Sequence, residues 1–473
     1  MKRPLPIAAA AALLLTLPID LRLLAQNRMT FPIASQDSGH IALGLALRKL
    51  NVSGTFMQTP AHPDDEHNAL FALFTLGMGL RSIDAQSNRG EGGQNEIGPE
   101  LFRDIGVLRT SELLSAHRID GAEQYFTRAI DYGYSFDPEE VINKWGRSEI
   151  IGDFVRLIRT LRPDVMLTMN IQGRGGDRAH EADTILSTEA YRQAGDPSKY
   201  PEQIREEGLR PWQPKKLYMA VAMGPPGGQD GGRGRGGRGG PGAEPAPPPP
   251  VKVKIVTPNT AAYDPLLCRT YAEIGTDARS NHKCQGMSGL PPLPGITTGR
   301  GGRGPAAYHL AETSLRGQMD KDETSFFDGI DTRLTALASY AGPNPPEALT
   351  RGLAAVSEQA TRAQHAFDTG DDAGTAAPVE AGLEALRALR AQLGSMGLND
   401  SARYELEFRL NSKERDYQDA VLAAHGLTFD AVADDGLVIA GQTVKISVLA
   451  VNRGPSPVNV TSAALAGFDS PGS

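Results

Sequence analysis

The segment Thr59-Pro-Ala-His-Pro-Asp-Asp-Glu66 sets three consecutive acids beside a histidine. His62 and Asp65, three positions apart, can both reach one cation. Catalytic zinc takes three protein ligands and keeps a fourth position for water. A neighbouring acid can then work on that water as general base. The same residues also suit a plainer arrangement, an acidic helix start with a surface histidine, which the helix dipole favours. Both readings stay open on the motif alone.

The elements around the motif decide where it can sit. Val52 to Thr59 reads as a short strand, and Ala69 to Leu76 (ALFALFTL) as the helix after it. The acids therefore fall at a strand exit, where open α/β sheets bind ligands. Pro163 to Thr168 and Lys216 to Ala222 read as further short buried strands. Asp137 to Trp145 reads as a helix with a cap residue, a proline and acids in its first turn. This alternation implies an α/β fold, Rossmann-like and layered, with a mostly parallel sheet. Within it, residues 224–250 and 289–305 are rich in Gly and Pro and read as loop insertions. Beyond about residue 331 apolar residues recur at helical spacing, as at Leu349, Leu353, Val356, Ala360 and Ala363, and again at Leu383, Leu386 and Leu389. Residues 331–426 are expected to form a helical region. From Leu427 the pattern becomes strands, at Thr443 to Ala450 and at Val458 and Val460. Residues 427–473 are expected to be the start of a β-sandwich-like domain that the sequence breaks off.

Composition removes several function classes. Of 473 residues, 40% are hydrophobic and 22% charged, which excludes wholesale disorder. A net charge of −8 argues against an electrostatic nucleic-acid binder, so no nucleic-acid partner is expected. Two cysteines cannot build a disulfide scaffold or a Cys-rich zinc module. Lys2 and Arg3 followed by the apolar stretch Pro6 to Leu17 read as a signal peptide over residues 1–25. The mature chain is therefore expected to be periplasmic or secreted, without a transmembrane segment. In an oxidising compartment Cys268 and Cys284 are expected to pair. The oligomeric state is not encoded in any of these features.

The chain resembles the PIG-L/LmbE-type zinc de-N-acetylases, in their large exported bacterial branch. The residues that carry the likeness are HPDDE from His62 to Glu66, RGEGGQNEIG from Arg89 to Gly98 and VLRTSELLSAHRIDGAEQYF from Val107 to Phe126. EAYRQAGDPSKYPEQ from Glu189 to Gln203, WQPKKLY from Trp212 to Tyr218, NHKCQGM from Asn281 to Met287 and FFDGID from Phe326 to Asp331 extend it over about residues 50–330. The resemblance implies a zinc-dependent N-deacetylase with His62, Asp65 and His180 as zinc ligands. Asp64 would be the general base and later the acid for the leaving amine. Arg89 would contact the substrate, with Asn95 and Glu91 as candidates in the same loop. The implied substrate is an N-acetylated amino sugar, such as N-acetylglucosamine, or its glycoconjugate, split into acetate and a free amine.

The pattern is broken at one place. The family usually has a second histidine shortly before the third ligand, as a donor to the developing oxyanion. Here Asp177 and Ala179 occupy that stretch. An ionised Asp cannot donate a hydrogen bond. Asp177 is therefore expected on the substrate side, the enzyme is expected to be a slow deacetylase, and Asp177→His should raise its turnover with little change in zinc affinity. If Asp177 orients a zinc-ligating imidazole, the same change should weaken metal binding. His282 is the candidate substitute donor. The competing functions are a glycan-binding pseudoenzyme and an interaction protein with a vestigial catalytic domain.

Overall fold

A computed structural model describes residues 38–170, 177–221, 254–287, 306–436, 438–439 and 441–463. The expected signal peptide and both Gly/Pro-rich insertions lie outside the described residues.

The core is a six-stranded sheet in the order β3-β2-β1-β4-β5-β8. The strands are β1 (Thr55–Thr59), β2 (Arg81–Gln86), β3 (Glu123–Phe126), β4 (Val165–Thr168), β5 (Lys216–Val221) and β8 (Ala307–Thr313). The first five run parallel and β8 runs antiparallel to β5. Strands buried on both faces need apolar residues at successive positions, and FMQ of β1, VML of β4 and LYM of β5 come close to that. Alternate residues pack to opposite sides. Met57, Met166 and Leu217 join Phe154, Ile158 and Leu186 on one face. Phe56, Val165, Leu167 and Tyr218 join Phe71, Phe74 and Phe326 on the other. A rossmann-type crossing follows: the chain moves outward from β1 through β2 to β3, then returns to place β4 on the other flank of β1. The crevice at the carboxyl ends of β1 and β4 is the switch point where such sheets bind ligands.

Helices cover both faces. After β1 comes α2 (Asn68–Phe71), which runs on as a π-helical stretch, Ala72–Gly77. Next are α3 (Arg103–Asp120), α4 (Pro138–Trp145), α5 (Arg147–Leu161), α6 (Ala179–Gln193) and α7 (Pro201–Arg205). Asp137 caps α4 by accepting from the Glu139 amide, as its sequence suggested. A small β6–β7 hairpin (Tyr263–Asp264, Arg269–Thr270) leads into α8 (Tyr271–Arg279).

A second apolar cluster joins α9 (Glu347–Asp368), α10 (Ala376–Gln392) and α11 (Asp400–Ala424) to a helix the sequence reading missed, α1 (Gly39–Leu50). Leu43, Leu47 and Leu50 of α1 pack with Leu353, Val356, Leu386 and Leu410. Four and three residues apart, such leucines share one helix face, and in this cluster that face packs against chain from far downstream. At the far end, β9 (Leu427–Ala433) and β10 (Ile446–Asn452) form an antiparallel hairpin. Val458 and Val460, read as a strand, are irregular and exposed; alternation without a pairing partner does not make a strand. Among the described residues no helix is long and apolar enough to cross a membrane.

Candidate metal centre

The loop leaving β1 carries the HPDDE residues, and the first turn of α6, which follows β4, carries His180, so the elements after two neighbouring strands bring their side chains to one point. Asp65 Oδ2 lies 3.2 Å from His62 Nδ1 and 3.1 Å from His180 Nε2. Ligand atoms of the three residues all fall within 4.8 Å of one another. Donors about 2.0–2.1 Å from a tetrahedral zinc lie about 3.3 Å apart, so this cluster is the right size for one such ion. Two imidazoles and a carboxylate also suit other divalent first-row metals. The structure thus brings together the three residues that the resemblance put forward as ligands.

Asp64, between them in sequence, sits at φ 99°, a conformation that costs a non-glycine residue energy and persists only when its surroundings over-determine it. The surroundings do so. The Asp64 amide donates to Glu66 Oε2 at 2.8 Å, and the Asp65 amide to the His62 carbonyl at 3.0 Å. Arg109 donates to the Pro63 carbonyl and, at 3.1 Å, to Asp64 Oδ1. Arg279, at the end of α8, donates to the Asp64 carbonyl and faces Oδ2 at 3.4 Å. Each carboxylate oxygen of Asp64 therefore meets a guanidinium. Neither arginine was singled out in the sequence.

Arg109 also explains the glycines of the 89–98 loop. Its Nη1 donates to the Gly90 carbonyl at 3.2 Å. A Cβ on Gly90 or Gly93 would stand 2.1 Å from the same guanidinium nitrogen, and Gly90 has φ +71°. The loop is glycine-rich because it wraps the arginine that holds Asp64.

Below the motif lies a buried polar chain. His282 Nε2 meets Glu66 Oε1, and Asn68 donates to Glu66 at 3.2 Å and to Asp120 at 2.9 Å. His117 bridges Asp120 at 2.9 Å and Asp84 at 3.1 Å. Burial alone would raise the Glu66 carboxyl, but His282, His117 and Arg279 outweigh it and hold it well below the usual carboxylate range. This corrects the reading of His282: it is fully buried as the partner of Glu66, with no surface to offer a substrate.

The other loop candidates are placed as follows. Arg89 is half-buried, its guanidinium 3.8 Å from the Phe126 ring centre and donating to Thr110 at 3.1 Å. Asn95 closes a local turn, accepting from the Ile97 and Gly98 amides and donating to Glu100, so its hydrogen-bonding groups are spent within the loop. Glu91 accepts from the Arg89 and Asp131 amides and ties that loop to the one after β3. The expected disulfide is absent: Cys268 is exposed, Cys284 is buried, and both are free thiols.

Asp177 stands beside the ligands. Its Oδ1 accepts from the Ser135 and Ala179 amides, and its Oδ2 lies 3.9 Å from His62 Nε2. Asp131, unnoticed in the sequence, places its Oδ1 at the same 3.9 Å from that nitrogen. Burial by itself would lower the His62 pKa; Asp131, Asp65 and Asp177 outweigh it and raise it to about 9. Two carboxylates facing the outer nitrogen of His62, a candidate ligand, fit the orienting role rather than contact with substrate. Asp177→His is therefore expected to weaken metal binding about 10- to 100-fold. Titration of the variant with zinc against a competing chelator checks this; unchanged affinity with faster turnover would restore the oxyanion reading.

With the geometry in place, comparison with known proteins identifies the segment. Residues 57–191 match the family model described as PIG-L, GlcNAc-PI de-N-acetylase. These residues are a PIG-L domain. It holds His62, Asp64, Asp65, Arg109, Asp131, Asp177 and His180. No curated protein matches the chain. Among solved structures, the chain is similar to N,N'-diacetylchitobiose deacetylase from Pyrococcus horikoshii complexed with its inhibitor MPG. That likeness has 15% identity and a TM-score of 0.33, over 55% of this chain and 81% of that chain.

Proposed function

We propose that the chain is a zinc-dependent N-deacetylase acting on an N-acetylated amino sugar or its glycoconjugate, working outside the cytoplasm. The observation that carries the reading is the convergence of His62, Asp65 and His180 beside a doubly clamped Asp64, at the switch point of the sheet and inside the PIG-L match. The family's description, a GlcNAc-PI de-N-acetylase, supports the substrate class. The basic and apolar N-terminus supports export.

His62, Asp65 and His180 would hold the zinc. When bound, zinc supplies Lewis acidity to an amide carbonyl and acidifies water. The remaining chemistry falls to the chain. Asp64 takes a proton from the attacking water, and its backbone strain and two arginine contacts keep the carboxylate at one place for that transfer. The same proton goes to the nitrogen as the amide C–N bond breaks, leaving acetate and an amine. Asp131 and Asp177 keep the His62 ring turned, and Glu66 with His282 fixes the backbone under Asp64.

The reading is tested by metal content and product together. Full-length protein loaded with zinc should hold one ion per chain and release acetate from N-acetylglucosamine oligomers. His62→Ala should lose both. Stoichiometric zinc in His62→Ala would overturn the ligand assignment.

A further inference from the structure

A buried guanidinium needs acceptors for its N–H groups and a counter-charge, and Arg409 on α11 is short of both. The residue is 5% exposed. Its Nη1 donates to the Ser53 carbonyl at 3.2 Å and faces Asp164 Oδ2 at 3.5 Å. Its Nε and Nη2 are buried and have no hydrogen-bond partner among the described residues. The Trp212 and Tyr340 ring centres stand 5.1 and 5.0 Å from the guanidinium carbon, which favours the charge but gives those N–H groups no oxygen. Arg409 lines a cavity of about 20 Å³. Ser53, Asp164 and Lys215 border it from the amino ends of β1, β4 and β5, and Ser339 and Tyr340 from the 3-10 helix Leu334–Ala341. It lies at the end of the strands away from the metal centre, where the helical region meets the sheet. A space of this size takes about one water-sized sphere, too little for a phosphate or a sugar.

Charge decides what fills it. Arg162 and Glu405 are spent on each other, through two guanidinium nitrogens. Asp164 must serve both Arg409 and Lys215, whose Nζ lies 3.0 Å from its Oδ1, and its Oδ2 also accepts from the Thr55 amide at 3.0 Å. Asp331, the other carboxylate at the cavity, is held by Arg333 through both oxygens. Arg162, Lys215 and Arg409 therefore share only Asp164 and Glu405, and one positive charge is in excess. A water molecule there would accept from the orphaned N–H groups but leave that charge uncompensated, which is costly in a buried place. We propose that the cavity is a halide site, taking one chloride ion against Arg409 Nε and Nη2. A single-atom anion fits the volume, accepts from both N–H groups and cancels the excess charge. Bound there, it ties α11 to the amino ends of the strands, so the packing of the helical region on the sheet depends on chloride.

The experiment is urea unfolding of the full chain in sodium chloride and in sodium gluconate at matched ionic strength. Gluconate controls for screening, which acts on every surface pair, and is too large for the cavity. An ion that binds only the folded chain stabilises it by mass action. Above its dissociation constant, each tenfold rise in chloride should lower the wild-type unfolding constant about tenfold, and gluconate should not. Arg409→Gln removes the guanidinium donors and should abolish the difference between the salts. Lys215→Gln, at a partly exposed side chain, removes the excess charge while keeping the guanidinium, and should shrink the difference. It carries the test if Arg409→Gln fails to fold. Anomalous diffraction from wild-type crystals grown in bromide should show one peak within hydrogen-bond distance of Arg409. Equal responses to the two salts in the wild type, or a full chloride response kept in either variant, would overturn the site. So would a cavity that holds only water in bromide.

Discussion

Asp64→Asn is expected to slow acetate release about 100- to 10,000-fold while zinc content stays at one ion per chain. Of the two motif acids outside the His62, Asp65 and His180 cluster, Glu66 is buried against His282, so Asp64 is the candidate base. In the proposed mechanism, loss of its carboxylate removes the acceptor for the water's proton and the donor to the leaving amine, two transfers assigned to one group in turn. Asparagine is the informative replacement. It keeps the shape of the side chain, tolerates a positive φ better than most residues, and still offers Arg109 an oxygen. A drop in rate with parallel loss of metal would mean that Asp64 serves the ion; a rate within about threefold of wild type would remove it from the chemistry.

The second large effect is on stability. Glu405→Gln should cost about 3–5 kcal/mol, read as a shift in the urea midpoint of unfolding. Arg162 at the end of α5 and Glu405 on α11 pair through two guanidinium nitrogens, with side chains 2% and 7% exposed. Arg162 also donates to the Pro211 and Arg210 carbonyls and lies over the Trp212 ring. The amide would leave the guanidinium charge buried without a counter-charge, and that penalty exceeds the value of the pair itself. The same interface has a pH signature. Burial alone would raise the Asp164 carboxyl, but Arg409 and Lys215 outweigh it and lower it. Its contribution is present above the unfolded carboxylate value near 3.9 and is lost as pH falls through the lower folded value. Arg409→Gln should therefore unfold at a higher pH than wild type in an acid titration. Coincident acid transitions would contradict that assignment.

Which parts were readable from the sequence follows from how local the interactions are. β1, α4 and the motif between Thr59 and Glu66 are written in consecutive residues, so their positions follow from short-range patterns. His180 could be named only through the resemblance, because nothing near it in the chain says that β4 lies beside β1. Arg109 and Arg279 were invisible for the same reason: each reaches Asp64 across the fold from a helix whose own pattern is unremarkable. The glycines at 90 and 93 were the one available hint, since their lack of a side chain leaves room for the Arg109 guanidinium. The cysteine pairing failed because nearness in sequence is not nearness in space. Cys284 is carried into the interior, where its amide meets Glu112, while Cys268 stays on an exposed turn. Asp131 follows β3, whose EQYF lacks the apolar run that made β4, VMLT, legible at the same length, so its place beyond a strand exit went unread.

The most direct test of the account is acetate release from N-acetylglucosamine oligomers by the zinc-loaded full chain, followed with and without a chelator. One acetate is expected for each free amine formed, with loss of release on chelation and recovery when zinc is restored. Zinc-replete protein that binds these oligomers but frees no acetate would contradict it.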